Sequence, residues 1–221
     1  MSHLHLPDGL VPIGLWAPAL AVVFALLVLA SRSQSPQRIA YQGALGGLML
    51  AAMAIPLGPL EFHLTLAGPV GVLLGAVGAL PVVFVVSTTL ALIGHGGLTV
   101  VGLNTLVLGL AAATASGLFG VLARRVPPAW SLALASAAGH IFSGLLWLGL
   151  VFATLRAGGP STPTLVDAPP RVELLAAVTL TLWIAGTLVE SVVAFGIGHF
   201  LARVSPGLLP MPQPAEVPEI S

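Results

Sequence analysis

LTLAGPVGVLLGAVGALPVVFVVSTTLALI, residues 64–93, is an unbroken apolar stretch of 30 residues. As one helix it would be about 45 Å long at 1.5 Å per residue, against a bilayer hydrocarbon core of about 30 Å. Divided, it gives a short helix over 64–74, a turn near Gly75 and a longer helix over 76–93. The short member would then be half-spanning or packed inside a bundle. This choice sets the number of membrane crossings, and with it the side on which each later loop emerges.

Arginine placement decides between the two. The other apolar runs, 15–31, 39–57, 101–123, 130–155 and 172–202, are each of membrane-spanning length. With seven helices and the N-terminus outside, Arg32, Arg38, Arg124, Arg125 and Arg203 lie in the cytoplasm, and Arg156 and Arg171 outside. With six helices the split is four against three. The positive-inside rule favours five against two. The chain thus reads as all-α: a polytopic membrane helix bundle of about seven transmembrane helices, N-terminus outside. One membrane domain spans 1–204. The tail 205–221, rich in proline, is expected to be cytoplasmic and disordered. The 157–171 stretch, AGGPSTPTLVDAPPR, reads as an exposed external loop.

Composition agrees. Of 221 residues 57% are hydrophobic and 6% charged, where a soluble domain carries about 25% charged residues. The 26 glycines and 19 prolines suit bilayer helices, which approach closely at small residues and tolerate proline. A net charge of zero excludes an electrostatic nucleic-acid surface. The absence of cysteine excludes disulfides, thiolate metal sites and cysteine nucleophiles. There is no lysine and no G-x-x-x-x-G-K-[ST] loop, so no ATPase motif is present. Ser116 and Ser143 lack the Gly-x-Ser-Gly pattern of an intramembrane serine protease. MSHLHLPDGL lacks the basic flank of a signal peptide, so the first apolar run is expected to be a retained helix.

In this topology His3, His5, His63 and His95 share the external face, where few other polar side chains lie. Imidazole is the commonest protein ligand for nickel, cobalt, copper and zinc. Their convergence at a membrane mouth points to capture of a transition-metal ion. His3 and His5 alternate with Leu4 and Leu6 and project to one side of an extended strand. Pro7 keeps the preceding residue extended, and Pro-Asp-Gly at 7–9 is turn chemistry that folds the strand back. The competing reading is a solvated terminus or the remnant of a purification tag. An α-amine, intervening amides and a nearby imidazole also make a planar nitrogen set suited to Ni(II) and Cu(II). Asn104 sits just inside the helix that follows Gly94-His95-Gly96-Gly97. His140 and Glu190 lie deep in apolar helices, where a hydrogen bond to each other or to neighbouring backbone is the expected role.

Three stretches carry a resemblance. They are HLPDGLVP at 5–12, His63 twelve residues before Gly75, and GHGGLTVVGLNTLVLG at 94–109. With Val189-Glu190 in a late helix, they make the chain similar, over about 3–203, to substrate-binding (S) components of energy-coupling-factor (ECF) transporters for cobalt and nickel, the CbiM/NikM family. The resemblance implies a seven-helix bundle holding one Co2+ or Ni2+ near the external surface of the cell (inner) membrane. It implies four nitrogen donors: the N-terminal amine, the backbone nitrogen and imidazole of the motif histidine, matched here by His5, and a later histidine, matched by His63. It also implies a transmembrane coupling (T) subunit, two cytoplasmic ABC ATPases and often a small accessory membrane protein. The chain itself would be a transporter subunit, not an enzyme, with no organic cofactor.

The sequence departs from the family at its start. Four residues precede His5, whereas the family's motif histidine is residue 2, beside the amine. Either His3 replaces the amine as a donor, or the terminus folds back differently. The full candidate set is therefore His3, His5, His63 and His95 as ligands, with Asp8 and Asn104 in support. Histidine before Gly-Gly is the pattern of cobalt-type members. A function of a different class is a stand-alone membrane carrier, or a structural bundle whose histidines only anchor the interface.

Overall fold

A computed structural model describes residues 5–32, 34–56, 63–156 and 172–211. These hold six helices and no strand. They are α1 (Ile13–Ser31), α2 (Pro36–Ala54), α3 (Ala67–Leu92), α4 (Val101–Leu122), α5 (Pro128–Arg156) and α6 (Val172–Val204), followed by a short 3-10 turn at Pro206–Leu208. Five of them, all but α2, are long and apolar enough to cross a membrane. The molecule is an all-helical, multi-pass membrane bundle.

α3 settles the opening stretch in an intermediate way. It runs from Ala67 to Leu92, but Gly75 has φ 75° and ψ 161°, outside helical geometry, and the helix is kinked there. The break falls at the residue expected to turn. Counted as one element its two arms bring the described total to six helices, against the seven expected. Breaking a helix inside a bilayer strands backbone carbonyls, which must find donors within the protein. α2 supplies them: the Arg38 guanidinium donates to Leu74 O at 3.4 Å and the Gln42 amide to Gly78 O at 2.9 Å. That service explains why α2, with Gln37, Arg38, Tyr41 and Gln42 in its first turns, is the least apolar helix. Its own N-terminus is capped by Ser35 Oγ, which accepts from Arg38 N at 3.3 Å, with Pro36 at the first helical position.

α4 is the centre of the bundle, packing on α1, α3 and α5, with the most extensive contact to α3. The approach rests on small residues. A Cβ added at Gly71 of α3 would lie 2.1 Å from Ala112 O, and one at Gly139 of α5 2.4 Å from Ala111 O. Glycine is thus required at both positions for α4 to be sandwiched at backbone distance. Around this contact lies the main apolar core, including Met49, Val70, Val83, Leu90, Val107 and Leu108. A second cluster joins Val72, Phe119, Leu132, Ala194 and Leu209. Leu209 draws the first residues of the tail onto the bundle; 212–221, like the 157–171 loop, lie outside the described residues. α1 is the outermost span, with Phe24, Val28 and Leu29 exposed on its surface, as a lipid-facing helix requires.

Candidate metal-capture site

Residues 5–9 form no regular element, yet they are pinned at Leu6 and at Asp8. Leu6 is fully buried in a third apolar cluster with Val11, Ala19, Val100 and Leu103. Its backbone is paired as in a sheet, but with a side chain: Leu6 N donates to Asn104 Oδ1 at 2.7 Å, and Asn104 Nδ2 donates to Leu6 O at 3.2 Å. Gly97 N donates to the same carbonyl at 3.0 Å. A buried carboxamide that both accepts and donates is satisfied only by an extended backbone, so Asn104 selects this strand-like segment. Two residues on, Asp8 closes the fold-back: its carboxylate accepts from Leu98 N at 2.9 Å, from Thr99 N at 2.8 Å and from the Thr99 hydroxyl. The Thr99 hydroxyl, then the Thr99 and Leu98 amides, hold the Asp8 carboxyl below the usual carboxylate range, against the upward push of partial burial.

The glycines of Gly94-His95-Gly96-Gly97 are each used. Gly94 and Gly96 have φ of 87° and 118°, a region that side-chain-bearing residues rarely adopt. A Cβ on Gly97 would sit 2.4 Å from both the backbone nitrogen and the carboxylate of Asp8. Gly96 lies against His5, whose Cβ would be 3.4 Å from an added Cβ, and against the Asn104 amide. The loop thus moulds itself around the N-terminal segment and carries His95 with it.

His63 arrives from the other side, between α2 and α3. Its ring lies at 70° to that of His95, centroids 5.8 Å apart. Nδ1 is 2.9 Å from Met53 O in the last turn of α2. A carbonyl only accepts, so Nδ1 carries the proton and Nε2 is the ring's lone-pair nitrogen. A ring nitrogen tied to a backbone carbonyl is the arrangement found behind metal-ligating histidines.

The structure therefore brings His63 and His95 together, and ties His5, Asp8 and Asn104 to the loop that bears His95. His3 lies outside the described residues. Among the described residues no three His, Cys, Asp or Glu side chains are grouped closely enough to hold an ion. His140 serves elsewhere: its ring packs on Trp183 at 5.3 Å, and its carbonyl accepts from the Trp183 indole N–H at 3.0 Å and from Ser143 Oγ at 3.0 Å. Glu190 bonds backbone, as expected of it, but that of Thr65 rather than anything near His140. Sequence reasoning missed Met53, whose contribution is a carbonyl and so leaves no mark in residue type. It also missed Thr99, for which Asp8 and a hydroxyl residue just before a helix were the available signal.

A profile of the family described as CbiM, cobalt uptake substrate-specific transmembrane region, matches residues 5–208. The chain belongs to the CbiM family. The match takes in the HLPDG segment, the Gly75 break, the His-Gly-Gly loop and Asn104. Family membership makes this a multi-pass membrane component of a transition-metal uptake system; such components work with other membrane and ATPase subunits. Two solved structures share the fold. One, a transition metal transporter, has a TM-score of 0.73 at 17% identity, covering 90% of this chain and 93% of the other. The second, a truncated transition metal transporter, has a TM-score of 0.76 at 18% identity, covering 90% and 98%. No curated protein sequence gives a significant match.

Proposed function

We propose that this chain is the substrate-capturing S component of an ECF-type importer, taking one Co2+ or Ni2+ from the external face. His5, His63 and His95 supply imidazole nitrogens and His3 the donor that the displaced N-terminal amine would otherwise give. The observation that carries the reading is the juxtaposed His63–His95 pair, with one His63 nitrogen fixed by Met53 O and His95 on the loop that clamps the His5 segment through Leu6 and Asp8. Nitrogen-only donors suit late first-row divalent ions over magnesium or calcium. Cobalt is favoured, by the family's description and by histidine before Gly-Gly. Asp8 and Asn104 position the segment without touching the ion.

Transport then follows from the architecture. The N-terminal segment and the His-Gly-Gly loop close over the ion outside, and release inward requires work. That work comes from the transmembrane coupling subunit driven by two ABC ATPases, with a small accessory membrane protein as a further partner.

The test is metal analysis of the purified full chain beside His3→Ala, His63→Ala and a form cut to begin Met-His5. Stoichiometric Co2+, lost in His63→Ala and weakened in His3→Ala, is the expected result. Normal binding by His3→Ala, with no gain in the shortened form, would remove His3 from the ligand set. Absence of any bound cobalt or nickel in the intact chain would sink the reading.

A further inference from the structure

Glu190 is a carboxylate buried to 3% exposure in α6, and nothing in the proposed ligand set uses it. Its side chain crosses to a segment 125 residues away, where Oε1 accepts from the backbone N–H of Thr65. Thr65 is one of the three residues that join His63 to α3. Leu66, the N-cap of α3, has φ 52°, the one positive value among the described non-glycine residues. A bulky side chain persists in that conformation only where its surroundings fix it. Leu66 is itself buried and offers α3 no side-chain cap. The carboxylate of Glu190 instead holds the residue before the cap, through the Thr65 N–H, close to the positive end of the helix. Thr65 Oγ1 adds a bond from Ala67 N at 3.3 Å.

We infer that Glu190 is a positioning residue for metal capture: it fixes the backbone at Thr65, beside the left-handed Leu66, and so the point from which His63 reaches Met53 O and His95. His63 needs support along its chain as well as on its ring, because three residues of irregular backbone, Leu64 to Leu66, separate it from the first helical turn. α6 has little other contact with α3, so this carboxylate is the main polar tie between the last helix and the histidine pair. The inference rests on the reading of His63 as a ligand.

The experiment uses the full chain in detergent with Co2+ alone, reading affinity by chelator competition and geometry by the visible absorption of bound Co2+. Glu190→Ala is expected to lose about 10–100-fold in affinity, the usual cost of removing support behind a ligand, with a shifted absorption band. Glu190→Gln keeps one acceptor oxygen and should lose less, with a smaller shift. Thr187→Val, one turn away on α6, controls for general loosening and should leave both readouts as in the native chain. Native affinity and spectrum in folded Glu190→Ala, or an equal loss in Thr187→Val, would overturn the inference. Where Glu190→Ala fails to fold, Glu190→Gln decides: an unshifted band at native affinity overturns it, and a several-fold loss with a shifted band supports it. His63→Ala runs in parallel. Should it bind cobalt normally, the site reading is wrong; should it lose cobalt while the Glu190 variants do not, this inference alone falls.

Discussion

His63 and His140 are imidazoles in the same apolar bundle, held in opposite ways. At His63 a ring nitrogen is engaged: Nδ1 is anchored on Met53 O, and the ring faces a second imidazole. At His140 the ring lies on Trp183 and the polar exchange runs through its backbone carbonyl, which receives an indole N–H and a serine hydroxyl. One site sits where irregular segments converge, the other inside the packing of α5 on α6. A histidine in a membrane protein is thus informative only with its surroundings: where the ring is packed, it fills space; where a nitrogen is aimed and fixed, it can do chemistry.

The largest effect should come from setting the two against each other. His63→Ala should cost more in Co2+ affinity than the roughly 100-fold upper bound for a supporting residue, and His140→Ala less than about twofold. Equilibrium titration decides, and the reverse order would break the distinction. Next come Asn104→Ala and Asp8→Ala, each expected to weaken binding about 10–100-fold by releasing the N-terminal segment. Because both act on one segment, the double variant should lose less than the product of the singles.

Acid offers a third, smaller test. Imidazole binds metal only when neutral and ordinarily titrates near pH 6.5, so lowering pH from 7.5 to 5.5 should weaken binding about tenfold per coordinating ring. Asp8 does not blur this. Its native value is depressed, so its stabilising contribution holds above its ordinary value of 3.8 and is lost only as pH falls below that, through the native value. An affinity flat from pH 7.5 to 5.5 would argue against imidazole donors. Smallest is His140→Leu, which should lower thermal stability by about 1 kcal/mol through lost ring packing on Trp183, with the Co2+ spectrum unchanged.

Much of this was readable in the residues. Apolar runs placed the helix centres within a few residues, because each is at least long enough to span a bilayer and is bounded by proline, glycine or arginine. Gly75 stood out within an overlong stretch. His63, His95, Asp8 and Asn104 were picked as site candidates because polar groups are scarce near helix ends, and the structure gathers them around two loops. What could not be read is what their partners are. Asn104 pairs with the backbone of Leu6, His63 with the carbonyl of Met53, and Glu190 with the amide of Thr65. Backbone groups are the same at every residue, so such pairings leave no signature in composition or spacing. The left-handed Leu66 was hidden for a related reason: no propensity marks a leucine for that conformation, which tertiary contacts impose.

The pairing of Leu6 with Asn104 has a consequence of its own. Residues 5–9 meet the bundle as a short peptide meets a receptor: backbone bonds along an extended run, one leucine in a pocket, an aspartate clasped at the end. Their linker to α1 is only a few residues, which holds them at an effective concentration in the millimolar range. A chain begun at Val11 should therefore leave a vacant cleft that a synthetic decapeptide, MSHLHLPDGL, refills at comparable concentration. Peptides with other leading residues would then exchange the metal preference of the assembly while the membrane portion stays untouched.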